Sequence, residues 1–305
     1  MLVTVSDVVS PSYFVATAAV ELGYFKSEGV DAEFVFPPAD RPRALREGRL
    51  HFVGTSAYSG PVAFPEWRGG KLLCALSQHS YWFLAVRADL HARRGDVSAV
   101  KGLRISATGQ PGLLLKRLLV DAGIDLERDG VRIVPPPPSH DPTGNLARIG
   151  AQAIEEGLAD AFWGNAMRAE YAVRRGIATV LVDVRRGDGP PSARQYTFPA
   201  LLTSDTVIEE HPDAAAGAIR AIVRTQQALR ADPSLATQVG NKLFPSEEAG
   251  LIADLIARDA PFYDATISED AVDGMTQFAR DAGLLSRSVA YDDVVATQFR
   301  HLWAP

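Results

Sequence analysis

The chain has 305 residues, more than one compact unit usually holds, so two lobes are expected. Hydrophobic residues make up 47% and charged residues 22%, the balance of a globular protein with a sizeable core. A net charge of −6 without a run of like charges excludes a phosphate-backbone partner, and no window approaches the roughly 18 apolar residues of a membrane-spanning helix.

Residues 2–5 read as a buried strand. Ser10 and Pro11 then open a helix running to Leu22, with serine as cap and proline in the first turn, closed by Gly23. Residues 30–36 alternate at period two and predict the second strand. A short helix over 42–46 leads to a third strand at 51–54, and a fourth follows at 72–76. The fourth encloses Cys74, whose apolar neighbours mark it as a buried structural thiol; a single cysteine gives no internal disulfide. A strand at 82–86 leads out of the first lobe. The pattern then restarts, with strands at 103–106, 131–134, 161–163 and 179–184 and helices at 112–122, 145–156 and 167–175. Pro135 to Pro138 form a stiff extended connection. The strand at 196–202 is the return crossing, and beyond it helices are expected over 212–231, 246–257, 269–282 and 292–303. Strand, helix and strand at these spacings imply a largely parallel sheet covered by helices.

The stretch from Ala18 to Glu33, with Gly23-Tyr24-Phe25 and Glu28-Gly29-Val30, resembles the signature of the NMT1/THI5-like substrate-binding proteins. Arg43 to Gly54 and Ala153 to Trp163 are similar to the corresponding segments of the two lobes. The resemblance implies a two-lobed α/β fold of the periplasmic-binding-protein type 2 class, each lobe a mixed, mainly parallel sheet flanked by helices, with a ligand cleft between the lobes. The expected lobes are residues 1–86 with 199–305, and 87–198. The implied role is capture of a small organic ligand, anionic or aromatic, for ABC transport through a permease or for sensing. The alternative is an enzyme on the same fold, decarboxylase- or synthase-like, acting on a small aromatic or carboxylic acid. No leader follows Met1, so the expected compartment is the cytoplasm, or the periplasm or cell exterior if a leader was removed.

Ligands of open α/β sheets lie beyond the carboxyl ends of the strands. Those ends nominate Ser10, Tyr13, Thr55, Ser56, Tyr58, Gln78, His79 and Trp82 in the first half, and Thr108, Gly109, Gln110, Trp163, Asn165 and Tyr196 in the second. They are hydroxyls, amides and aromatics, suited to hydrogen-bonding a polar head and packing a flat or apolar body. For Ser10 and Thr108, helix capping is an equal reading. The loop from Ser106 to Gly112 leaves amides free for an anion but lacks both glycine-rich nucleotide patterns. Arg41 and Arg194 are the nearest cationic candidates. Six scattered histidines and one cysteine give no metal-ligand spacing, no cofactor is expected, and no Gly-x-Ser-x-Gly elbow is present.

Overall fold

The computed structural model describes residues 1–107, 109–139 and 145–304. The chain forms two compact units, one from residues 1–79 and 195–305, the other from 80–194.

The first unit holds a sheet in the order β2-β1-β3-β10-β4, built from β1 (Leu2–Val5), β2 (Glu33–Phe34), β3 (Phe52–Ser56), β4 (Gly70–Ala75) and β10 (Pro199–Ser204). β1 runs parallel to β2 and β3, while β10 is antiparallel to both β3 and β4. β3 is buried along its whole length, as a strand covered on both faces must be. Helix Phe14–Glu21 covers it through small residues. A Cβ on Gly54 would already meet Val5, Ala16 and Leu76 at 3.1 to 3.2 Å.

The second unit repeats this plan. Its sheet runs β7-β6-β8-β5-β9, from β5 (Phe83–Arg87), β6 (Arg104–Ser106), β7 (Arg132–Val134), β8 (Ala161–Gly164) and β9 (Ala178–Asp183). Here β6 is parallel to β7 and β8, and β5 is antiparallel to β8 and β9. In each unit the antiparallel strand is the first one formed after the chain enters from the other unit.

Several expectations move. The strand expected to lead out of the first lobe is β5, a central strand of the second unit, because it pairs with β8 and β9; the chain therefore changes unit after His79, not near Val86. The strand expected over 30–36 shrinks to Glu33–Phe34, since β2 makes only two register pairs at the sheet edge. The helix expected from Ser10 starts at Phe14, after turns, and Ser10 caps nothing. The helix expected from Gly112 already begins at Gly109. The final helix expected over 292–303 is replaced by Tyr291–Val294 and a 3-10 turn over Thr297–Leu302, with Val295 bridged to Leu72. Gly23 and Gly29 do sit at φ of 79° and 80°, which lets the helix turn into β2, and Phe25 packs at 6.0 Å from Phe52 beneath that turn.

Candidate functional site

In the first unit the carboxyl ends of β1 and β3 gather polar groups. Ser6 Oγ donates to Thr55 Oγ1 at 2.7 Å, and the Tyr13 and Ser56 hydroxyls share a hydrogen bond at 3.1 Å. Thr55 and Ser56 are the last residues of β3 itself, not of the loop after it. Ser10 is 1% exposed, and its hydroxyl meets no acceptor or donor. Tyr58 is buried beside this group. Its ring meets Phe278 edge-on at 5.8 Å, and Phe278 in turn stacks on Tyr196 at 5.3 Å. Burial, reinforced by nearby Tyr13, pushes the Tyr58 phenol well above its ordinary pKa, so it stays a neutral donor. Arg41 follows β2 and comes near the same cluster. Burial pulls its pKa down, while Tyr13 and Asp7 act in the opposite sense.

Gln78 and His79 stand differently. The Gln78 amide is committed to the carbonyls of Asp264 and Thr266, at 3.0 and 2.8 Å, and so ties β4's end to a distant loop. His79 adopts a left-handed φ of 64° with its ring edge-on to Phe262. It is the last residue before the chain enters the second unit.

In the second unit an aromatic column forms at the end of β8 and the start of β5. Tyr81 stacks on Trp82 at 5.3 Å, and Trp82 stacks on Trp163 at 5.9 Å with an interplanar angle of 11°. Asn165 accepts from the Arg168 amide at 3.1 Å and caps helix Ala166–Arg174. Two buried arginines that sequence reading missed lie nearby, Arg185 against the column and Arg168 on the opposite face of β8, beside Phe162 and Gly164. The Arg185 guanidinium lies 5.7 Å from the Tyr81 ring centre, and the Arg168 stem runs so close to Gly164 that a Cβ there would meet its Cδ at 2.9 Å. Gly109 is exposed and Gln110 half-exposed at the start of helix Gly109–Asp121; Thr108 lies outside the described residues, as does His140. Pro111 removes one donor from that helix start. Among the described residues no three potential metal ligands cluster, and no helix is long and apolar enough to cross a membrane.

The family model described as "NMT1/THI5 like" matches residues 10–236. The chain belongs to the NMT1/THI5-like family. Solved structures of the same fold include the alkanesulfonate-binding protein SsuA from Xanthomonas axonopodis pv. citri bound to MOPS. It is 14% identical at a TM-score of 0.69, with 98% of this chain and 96% of that one covered. The periplasmic aliphatic sulphonate-binding protein SsuA from Escherichia coli is 14% identical at a TM-score of 0.70, covering 96% and 90%. The desulfurization enzyme DSZB is 16% identical at a TM-score of 0.66, covering 98% and 97%. A search of curated proteins gives no match. The likenesses establish a periplasmic-binding-protein fold with two α/β units, as the Gly-Tyr-Phe signature led one to expect.

Proposed function

We propose that this protein is the solute-binding component of an ABC import system, taking up a small organic ligand with an anionic or hydrogen-bond-accepting head and delivering it to a permease. The observation that carries the reading is a pair of strand-end clusters built on one repeated topology. Tyr13, Ser56, Tyr58 and Tyr196 form the first cluster and Tyr81, Trp82, Trp163 and Asn165 the second, all of them buried. Buried hydroxyls and indoles gathered at the ends of parallel strands are what a specific small-molecule site requires. The family match and the sulfonate-binding proteins among its structural relatives support the same role.

The enzymatic alternative has less support. Cys74 is fully buried in β4, and burial pushes its thiol far above its ordinary pKa, so it offers no nucleophile.

A thermal-shift screen of small sulfonates, carboxylates and pyrimidines tests the proposal. A ligand present at about 100 times its Kd stabilises the folded state by about 2.7 kcal/mol, enough for a clear rise in Tm. A panel in which no member raised Tm, and in which substitution of Tyr13 or Tyr58 changed nothing, would sink the reading.

A further inference from the structure

β1 runs parallel to β2 and β3, so the segments leaving all three strands emerge at one edge of the first sheet. Beyond β2 the chain stays beside β1 as far as Val35, whose carbonyl accepts from Thr4 Oγ1 at 2.7 Å. It then turns through Pro37 and Pro38 into the short helix Arg41–Arg46, where Arg41 N donates to the Pro38 carbonyl at 3.1 Å. Arg41 thus opens the helix at the strand end that carries the Tyr13–Ser56 hydroxyl pair. Four arginines lie in this helix and the turn behind it, and three of them are engaged. Arg43 pairs with Glu47 at 2.5 Å, Arg46 Nη1 donates to the Ala63 carbonyl at 2.6 Å, and Arg49 meets Asp40 and Glu47 at 2.6 and 2.9 Å. All three are exposed. Arg41 differs in both respects. It is partly buried, and among the described residues its guanidinium makes no ion pair and no hydrogen bond. Burial lowers its pKa, opposed by the fields of Tyr13 and Asp7. Asp7 is engaged by other groups and does not pair with it. A guanidinium keeps its charge in a protein, and a charge withdrawn from water is ordinarily paired. The partner missing here is an anion, since the planar fork matches two oxygens of a carboxylate or sulfonate. Part of the Arg41 surface remains open, so a solute can reach it.

We propose that Arg41 receives the anionic head of the solute, its guanidinium gripping two head-group oxygens at the strand end that carries the Tyr13 and Ser56 hydroxyls. The charge left unpaired in the unliganded protein is then neutralised by the ligand. This rests on the solute-binding reading and names the specificity-determining residue within it.

The test is calorimetric titration and thermal melting of the full chain and of two variants, Arg41→Gln and Arg41→Lys. The probes are the small carboxylates and sulfonates of the screen, headed by benzoate and benzenesulfonate. Benzamide, which keeps the shape of benzoate without its charge, is the neutral match. The unaltered protein should bind the anions about tenfold or more tightly than benzamide. Arg41→Gln should weaken anion binding about tenfold or more and leave benzamide unchanged, as for loss of a hydrogen bond between charged groups. Arg41→Lys, a point charge without the fork, should recover part of that loss. The unliganded melts add a readout that a structural arginine would move the other way. Removing a desolvated, unpaired cation should raise the Tm of Arg41→Gln above that of the unaltered protein, whereas removing a mere prop of the helix would lower it. Should Arg41→Gln fail to fold, Arg41→Lys decides, and anion affinity equal to that of the unaltered protein would overturn the proposal. Undiminished anion binding by Arg41→Gln would overturn it while leaving the solute-binding reading intact. So would a screen in which neutral or cationic solutes bound and no anion did, and a screen in which nothing bound would remove both.

Discussion

At the residue scale, Gly164 sets how closely Arg168 can approach the end of β8. Adding one methyl places it 2.9 Å from the Arg168 Cδ, so the guanidinium stem must shift. Gly164→Ala should therefore cost only about 1 kcal/mol in stability, because a flexible stem yields more readily than backbone. A denaturant melt checks this; a loss of several kcal/mol would contradict it. Tyr13→Phe removes the hydroxyl that pairs with Ser56 and should cost about 1 kcal/mol in a denaturant melt. The hydroxyls of this cluster were legible in the sequence because Ser, Thr and Tyr follow short apolar runs. The partners were not. Nothing local shows that Gln78 is bound to carbonyls of a loop near residue 265, or that Arg168 and Arg185 are buried, since an isolated arginine in a sequence reads as a solvated one.

At the element scale, the turn after the first helix is fastened to helix Pro212–Ala231. Glu28 accepts from Arg220 Nε at 2.6 Å and from Arg224 at 2.7 Å. Those hydrogen bonds, ahead of any charge effect, hold its carboxyl below the usual glutamate range. A carboxyl whose folded-state pKa is depressed stabilises the fold above its unfolded value and loses that contribution as pH falls through the folded one. Both arginines are nearly half-exposed, so solvent screens the pair and it is worth about 1 kcal/mol at most. Glu28→Gln should lower Tm slightly at neutral pH and flatten the decline of Tm on acidification; identical acid limbs for the two proteins would refute it. Gly274 in helix Glu269–Asp281 plays a packing role in the same unit. A Cβ there would fall 2.9 Å from the Gln195 carbonyl oxygen and 2.6 Å from its Cβ, and backbone cannot swing aside. Gly274→Ala should cost about 1–3 kcal/mol, read from the urea midpoint at constant slope. The helices over 212–231, 246–259 and 269–281 were visible in advance from their apolar spacing and their proline or serine starts. Helix Leu235–Leu243 escaped notice because it is short and offers only a weak start signal in Pro233-Ser234.

At the scale of the whole molecule, the two sheets share one strand order, with the antiparallel strand in the corresponding place in each. Period and spacing announced strands and helices alternating in two runs, hence the class of fold. They did not announce that β10 lies between β3 and β4, because strand order depends on pairing between residues far apart in the chain. The second unit is a single continuous stretch whose ends meet, Ser80 N donating to the Arg194 carbonyl at 3.0 Å. A segment of residues 80–194 should thus fold alone, with dispersed amide resonances and a cooperative melt; a random-coil spectrum would disprove its independence. The first unit is in the opposite position. Its sheet lacks the strand between β3 and β4 until Ser204 has been made. On a ribosome adding about 5–20 residues each second, β3 and β4 therefore emerge with open edges and must wait while the entire second unit is synthesised. The segment encoded later finishes folding first, and for those seconds the nascent chain presents unpaired strands that a chaperone would recognise as its client.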